Sequence, residues 1–389
     1  MFLRIKKNFY GASALLIIIL GLPTFAVAGA KIKIDDTRWF SVGLGLQSSI
    51  AVTEDGADDG TSSATNFGFD FIRLYTAAKV HKNITLEFNT EHQGSNSSAS
   101  LNSDQSIRVL DAVAKFSVAG FDFWTGRFLP PSDRSNLDGP YFLNAYQFPI
   151  AQAYPALHNG RDNGVTIMKE YNGGQFKWSY GLFEGRTVST NADTNPDQED
   201  NFLHAARATI NFWDPEPGYY TTSSYYGAKD VLALAFVYQY EEDGAGTGTT
   251  DSLRGDFNAW NIDFLMEKKI QNGAVVNLEG AFYNYDSDDK ADTTITQGQS
   301  YLLLGSYLMP NSIGWGKLQP YVRQQHFVRE TNSDGGRWRT EGGVNYIIDG
   351  HNAKINATYY VDKNGTGANE LGTFLMGLQF KLSFYLSKI

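Results

Sequence analysis

Six charged side chains lie in one irregular segment of the chain. The segment TGRFLPPSDRSNLDGPYFLNAYQFPIAQAYPALHNGRDNG runs from Thr125 to Gly164 and sustains no periodic pattern after its double proline. Its charged residues are Arg127, Asp133, Arg134, Asp138, Arg161 and Asp162. Guanidinium and carboxylate groups form paired hydrogen bonds with each other and with ionic solutes. The segment could therefore hold internal ion pairs or a charged solute.

The histidines do not indicate catalytic or metal chemistry. They are His81, His92, His158, His204, His326 and His351. None has the H-E-x-x-H spacing of a metal site, and the chain has no cysteine to serve as nucleophile or thiolate ligand. His158, beside Arg161, is the one candidate among them, whereas His351 is expected to face solvent in a short turn. We predict no catalytic residue, no metal site and no cofactor, and therefore no enzyme.

The irregular segment is aromatic in composition, which argues against disorder. It contains Tyr141, Phe142, Tyr146, Phe148 and Tyr154. Irregular connections longer than about 12–15 residues are uncommon in compact domains and usually indicate function or disorder. Because aromatic side chains gain much from burial, we expect this segment to pack against another part of the molecule.

The N-terminal residues have the three parts of a secretory signal. The basic start MFLRIKK is followed by the apolar run ALLIIILGL and by the small-x-small sequence Ala26-Val27-Ala28. The apolar run is shorter than the roughly 20 residues that a membrane-spanning helix needs. We predict a signal peptide at residues 1–28 and a mature domain at 29–389, with a second possible cleavage after Ala30.

The charge balance argues against a nucleic-acid partner. The chain has 42 acidic and 32 basic residues and a formal net charge of −10, and removal of the basic signal makes the mature protein more acidic. A nucleic-acid-binding surface requires a basic footprint. An exported chain of this size without cysteine is typical of a bacterial protein.

Strict alternation of apolar and polar residues recurs along the mature chain. In the last stretch, Phe374, Met376, Leu378 and Phe380 share one face, as a half-buried strand requires. Sixteen such stretches lie near residues 38–51, 66–80, 84–93, 106–118, 121–129, 163–171, 175–184, 201–213, 230–240, 256–269, 274–286, 299–309, 317–329, 337–348, 353–362 and 372–386.

The connections between these stretches alternate in length. Short turns such as 119–120 and 172–174 alternate with long polar loops such as TEDGADDGTSSATN. A transmembrane barrel with strands of about 10 residues predicts this alternation and the apolar outer face. A soluble sandwich or propeller would have strands nearer 5–6 residues. We therefore predict an all-β, sixteen-stranded antiparallel barrel in a bacterial outer membrane, in contact with lipid.

Seven short motifs follow one another along the mature chain. They are GRFLPP (126–131), RDNGV (161–165), WSYGLFEG (178–185), NFWDPEPGYY (211–220), LQPYVRQ (318–324), GGVNYIIDGHNAK (342–354) and LMGLQFKLSF (375–384). Their order resembles the phosphate-selective porin O and P family. The resemblance implies a homotrimeric porin whose third external loop folds into the lumen as the constriction, with anion selectivity from basic lumen residues.

The charges expected to face the lumen are mixed. Arg73, Arg207 and Arg323 share the predicted inward face with several glutamates and aspartates, and Arg127 is expected to point inward at a strand end. The predicted constriction and lumen set is Arg73, Arg127, Asp133, Arg134, Asp138, His158, Arg161, Asp162, Arg207 and Arg323. A ring of one charge sign sets the selectivity of a pore, so this mixture favours weak or anion-leaning selectivity.

One long connection, DPEPGYYTTSSYYGAKD at 214–230, lies at the end where the other turns are short. We expect an ordered turn packed under the barrel, and a binding surface for a periplasmic partner is an alternative.

The leading functional hypothesis is a diffusion porin, a water-filled channel for small polar or charged solutes that include phosphate or other anions. Arginines and carboxylates would face each other across its narrow opening. The alternative is a non-conducting barrel that acts as an adhesin, a scaffold or a sheath for a partner protein.

Overall fold

The computed structural model describes residues 30–93, 107–152, 160–185, 201–246, 254–290, 297–329, 336–365 and 368–382. The predicted signal peptide and His158 lie outside the described residues. Within these ranges no helix is long and apolar enough to cross a membrane.

Seventeen strands are described. They are β1 Ala30–Lys33, β2 Trp39–Thr53, β3 Ala64–His81, β4 Ile84–Gln93, β5 Arg108–Val118, β6 Phe121–Phe128, β7 Asp162–Tyr171, β8 Phe176–Phe183, β9 Leu203–Asn211, β10 Val231–Gly246, β11 Arg254–Lys269, β12 Val275–Asp286, β13 Gly298–Leu308, β14 Lys317–Arg329, β15 Arg337–Asp349, β16 Ala353–Asn364 and β17 Leu371–Leu382. A single short helix, α1 Arg134–Asp138, lies in the described part of the β6–β7 connection.

Strands β2 to β17 form a closed antiparallel barrel. Each pairs with its neighbour along the chain, and β17 closes the ring on β2 with Met376 opposite Ile50. The short β1 pairs with the start of β2. Closure leaves no sheet edge in the wall and pairs every strand's backbone, as a hydrocarbon environment requires. The predicted sixteen-stranded barrel is confirmed.

The two faces of the wall follow the alternation of the sequence. On β17, Phe374, Met376 and Phe380 are exposed on the outside, whereas Gln379 and Lys381 are buried inside. Large apolar side chains are likewise exposed on the outer face of most other strands. The outer face therefore suits lipid and the inner face is largely polar.

The connections have different lengths at the two ends of the barrel. One end carries short turns such as 119–120 and 350–352, and the other carries the long connections. Two connections matter for the lumen. They are the β6–β7 connection, described at 129–152, and the β9–β10 connection at 212–230, which is long although it lies at the short-turn end.

The outer face predicts a depth-dependent response to charge. Met376→Arg, in the middle of β17, should lower the free energy of unfolding by about 2–4 kcal/mol, because an arginine at the bilayer midplane is poorly solvated. Leu382→Arg, at the last outward position of the same strand, should lower it by at most about 1 kcal/mol. Denaturant titration in lipid vesicles measures both. Equal effects would contradict the position of β17 in the bilayer.

Candidate pore constriction

Residues 129–152, here called the crossing segment, lie inside the barrel and contact several parts of its wall. The hydroxyl of Tyr146 donates to Asp70 on β3 (2.7 Å). Asn144 donates to Asn277 on β12 (2.8 Å), and the backbone N–H of Ile150 donates to Gln325 on β14 (2.7 Å). Because β3 and β12 lie far apart around the ring, the crossing segment extends across the lumen.

Side chains of the wall satisfy the backbone of the crossing segment. A segment without regular structure must find partners for its carbonyl groups when it is buried. The wall donors, each about 2.8–3.0 Å from a segment carbonyl, are Gln47 to Pro140, Gln239 to Pro131, Arg207 to Ser132, Arg323 to Gln147, Asn345 to Asn144, Lys354 to Leu143 and Gln379 to Tyr141. These long polar side chains hold the segment in place.

An apolar cluster inside the lumen holds one side of the crossing segment. Leu129, Leu137 and Ala151 are buried in a cluster with aromatic side chains from several strands. Tyr285 stacks between Tyr283 and Phe327, with ring centroids about 6 Å apart. Stacked aromatic rings add to the free energy of simple burial. The aromatic side chains of the crossing segment and of the inner wall therefore help to anchor the segment in the lumen.

Two tyrosines of the crossing segment fit against glycines of the wall. Tyr141 lies over Gly45 on β2, and Tyr146 lies over Gly377 on β17. A Cβ atom at either glycine would overlap the tyrosine ring. The absence of a side chain at these two positions creates the space for the rings.

Arg134, at the start of α1, is bound to the β9–β10 connection. Its two terminal nitrogens donate to the two carboxylate oxygens of Glu216 (2.9 and 2.6 Å), and Nη1 also donates to the Thr222 carbonyl. Asp263 lies 4.0 Å away. Burial disfavours the charged form of both partners, but the attraction between the two opposite charges is the larger effect. The pKa of Arg134 is raised well above its usual value, and that of Glu216 is lowered to about 2.

The aspartate before α1 and the aspartate at its last position accept hydrogen bonds from neighbouring side chains. Asp133 accepts from Gln152 and from the hydroxyl of Tyr283 (2.7 Å). Asp138 accepts from Thr221 and Ser223, each at 2.5 Å. Burial raises the pKa of Asp138 well above its usual value. Both carboxyl groups are therefore hydrogen-bonded to side chains of the protein itself.

Each of the other inward arginines of the predicted set is paired with a carboxylate beside it. Arg73 pairs with Glu91, and its Nε donates at 2.7 Å. The further pairs are Arg161 with Asp111 (3.1 Å), Arg207 with Asp263 (2.6 Å) and Arg323 with Glu341 (2.5 Å). All eight side chains are buried. The expectation that arginines and carboxylates face each other across an open gap is wrong for these pairs, because the partners are in direct contact.

Arg127 lies on the other face of the wall. It is opposite Ala112 on β5 and Asn163 on β7, whereas the inward Phe128 is opposite Asp162. Alternation along β6 therefore places Arg127 on the outer face, and its predicted inward orientation is wrong. Asp162 itself is buried and accepts from the backbone N–H groups of Gly185 and Asn163 (2.8 and 2.7 Å).

His351 is packed inside, although a solvated turn was expected. Its ring lies 4.8 Å from the rings of Phe142 and Tyr226, centroid to centroid. Its Nε2 lies 2.7 Å from the Ser224 carbonyl oxygen, and its Nδ1 lies 3.1 Å from the Tyr141 carbonyl oxygen and 3.4 Å from the Tyr226 hydroxyl. Burial lowers the pKa of His351 to about 3. The turn is covered because the β9–β10 connection enters the barrel beneath it.

Sequence reasoning missed Glu216, Lys354 and Asn144. Glu216 lies in the quoted DPEPGYY motif, so an acidic residue between two prolines was a visible signal. Lys354 was hidden because its hydrogen-bond acceptor is a backbone carbonyl 211 residues away in sequence.

Within the described ranges, no group of three His, Asp or Glu side chains is placed to hold a metal ion.

The inner face is covered at the level of the crossing segment. Gln47, Gln325, Asn356 and Gln379 have no exposed surface, and most inward side chains from β8 to β17 are buried. Polar side chains that point into a wide water-filled lumen would be exposed. The described lumen is therefore narrow or closed at this level.

Sequence comparison gives no family for this chain. No protein-family model matches it, and no curated protein matches it. The resemblance to the phosphate-selective porin O and P family therefore remains a prediction.

Solved structures share the fold. The chain is similar to OprB of Pseudomonas putida, with 10% identity and a TM-score of 0.62 over 88% of this chain and 94% of that one. It is also similar to an anion-selective porin from Comamonas acidovorans, with 13% identity and a TM-score of 0.57 over 88% and 99%. A loop-deletion mutant of OmpT, an outer membrane protein of Vibrio cholerae, matches with 14% identity and a TM-score of 0.56 over 89% and 100%.

The chain is a bacterial outer-membrane β-barrel. The closed sixteen-stranded wall, its apolar outer face and its fold shared with outer-membrane proteins establish this location.

The burial of His351 predicts an abnormal titration. The unfolded chain takes up a proton on this residue near pH 6.5, whereas the folded chain does so only near a pKa of about 3. His351 therefore lowers the stability of the fold as pH falls from about 6.5 towards 3. Histidine-labelled protein in detergent, with His351→Gln to assign the signal, should show a neutral ring at about pH 5 by NMR. Titration near 6.5 would contradict the packing described here.

Proposed function

We propose that this chain is a diffusion channel of porin type that passes small polar or charged solutes across the outer membrane with weak selectivity. The observation that carries the proposal is the polar inner face of a closed membrane barrel, narrowed by a segment that crosses it. The inner face carries amides, carboxylates and guanidinium groups. Such groups suit water and polar solutes.

Weak selectivity follows from the pairing of charges. A ring of unpaired charges of one sign attracts one class of ion. Here Arg73, Arg161, Arg207 and Arg323 each contact a carboxylate, so most of the field of each pair cancels at a distance. The neighbour described as anion-selective makes anions one solute class to test, and phosphate belongs to that class. The chain itself is proposed to be non-enzymatic.

We also propose a homotrimer. One similar structure is described as the trimer form of OmpT of Vibrio cholerae. Chemical cross-linking of the detergent-solubilised protein tests this assembly, and a cross-linked series that ends at the monomer would contradict it.

Conduction tests the proposal directly. Purified protein inserted into a planar bilayer should give stepwise increases in current, because each inserted barrel adds one water-filled path. A salt gradient with chloride, phosphate and a dicarboxylate then gives the ion preference from the reversal potential.

The buried state of the inner face favours the alternative of a non-conducting barrel that serves as an adhesin, scaffold or sheath. Complete insertion without any current would support that alternative.

The Arg323–Glu341 pair gives a matched test of selectivity. Glu341→Gln leaves the Arg323 charge uncompensated and should shift the preference towards anions, whereas Arg323→Gln should shift it towards cations. A unit charge about 8 Å from an ion in water changes its energy by about 0.5 kcal/mol, or about twofold in permeability. Reversal potentials measure the shifts. Shifts of the same sign in both variants would contradict a pore that passes this pair.

A further inference from the structure

The β9–β10 connection makes an excursion that joining the two strands does not require. The backbone N–H of Asp214 donates to the Asp230 carbonyl (2.9 Å), and that of Asp230 donates to the Asp214 carboxylate (2.8 Å). The chain therefore leaves and returns at one point. Other strand pairs at this end are joined by turns such as 119–120. Residues 215–229, here called the excursion, must have a role other than connection.

The excursion enters the barrel and contacts its wall. Glu216, Ser223 and Ser224 are at most 1% exposed. The side chain of Ser224 and the backbone N–H groups of Tyr225 and Gly227 all donate to Glu267 on β11 (2.8–2.9 Å). A short turn outside the barrel would leave these groups in water. The excursion instead occupies the lumen from the short-turn end.

The excursion also contacts the crossing segment at several points between residues 134 and 142. Arg134 binds Glu216 through two hydrogen bonds, and Asp138 accepts from Thr221 and Ser223. The backbone N–H of Ser223 donates to the Phe142 carbonyl (3.1 Å). The crossing segment, which begins at the long-loop end, and the excursion therefore meet inside the barrel and are joined by polar contacts.

The chemistry of this junction differs from that of the anchor of the crossing segment. The crossing segment is held partly by a buried apolar cluster that includes Leu129 and Leu137. The junction at residues 221–227 is made by hydroxyls, backbone groups and carboxylates, for which water is an alternative partner. Water entering the lumen can replace these contacts, whereas it cannot replace apolar packing. The excursion has apolar anchors of its own, because Tyr219 belongs to the same cluster as Leu129, and Tyr225 and Tyr226 pack against two smaller apolar clusters of the wall. Residues 221–224, between these tyrosines, are held by polar contacts and are thus the part more readily displaced.

We propose that residues 215–229 form an inner plug that closes the channel from the short-turn end and is latched to the crossing segment by the Arg134–Glu216 pair. The proposal rests on the proposed function, since a plug limits flow only where a channel exists. The plug explains why the inner face is buried, and it does not require the channel to be permanently closed.

Removal of the excursion is the first test. Asn-Gly, which favours a tight two-residue hairpin turn, replaces residues 215–229 and joins Asp214 to Asp230. The matched control replaces the exposed β2–β3 connection 54–63 in the same way, where Thr53 and Ala64 are already paired. The excursion variant should show severalfold larger single-channel conductance than the parent and the control, or conductance where the parent has none.

The outcomes separate the plug from the proposed function. Equal conductance in all three proteins would overturn the plug and leave the diffusion channel standing. No conductance in any folded, inserted protein would overturn both. Heat-modifiable migration in detergent gels shows that each barrel is folded.

A second test uses a point change that keeps the excursion. The chain has no cysteine, so Ser223→Cys places a single thiol in the plug, where Ser223 is fully buried. A water-soluble methanethiosulfonate reagent should label it slowly. Adding Glu216→Gln should raise the labelling rate by about tenfold or more, because opening governs the reaction of a buried thiol. Adding Glu91→Gln removes the same charge from the buried Arg73 pair on β3 and β4 and should leave the rate unchanged. An unchanged rate with Glu216→Gln, or equal increases in both, would overturn the latch.

Discussion

Backbone hydrogen bonding in hydrocarbon is the constraint on which the rest of this structure depends. A strand in a bilayer has no water to pair with its N–H and C=O groups, so the sheet must close on itself. Closure by β17 on β2 creates an interior, and alternation along each strand sends every second side chain into it. The polar composition of those inward positions then determines what the interior can hold.

The interior is assembled as a polar core with one apolar region. Arginines and carboxylates of the wall neutralise each other in contact, and amides such as Gln47 and Gln379 bind the backbone of the crossing segment. A buried charge without a partner is strongly destabilising, which explains why each inward arginine of the wall lies beside an acid. The same pairing that allows burial also weakens the electric field along any solute path.

The fold was predictable from sequence because its signal repeats in every strand. The alternation of Phe374, Met376 and Phe380 with polar residues in β17 is a local pattern that needs no knowledge of distant residues. Arg127 was assigned to the wrong face because β6 lacks this pattern. Trp124 and Phe128 point inward to the apolar cluster while Phe123 points outward, so both faces of the strand are aromatic.

The site was less predictable because its contacts join residues far apart in the chain. Arg134 and Asp138 were recognised as candidates, but their partners Glu216, Thr221 and Ser223 are more than 80 residues away. His351 was expected to be solvated because its own turn is short. Its burial depends on the β9–β10 connection, whose inward path has no periodic signal in the sequence.

The fit of Tyr141 over Gly45 and of Tyr146 over Gly377 has a consequence for how this protein can change. A larger residue at either glycine would evict the facing ring from the wall, and a smaller residue in place of either tyrosine would leave a void there. Substitutions at the members of each pair are therefore not independent. A substitution in the barrel wall at these positions therefore requires a compensating substitution in the crossing segment, and the reverse also holds. The width of the lumen is thus determined jointly by residues of the wall and of the crossing segment.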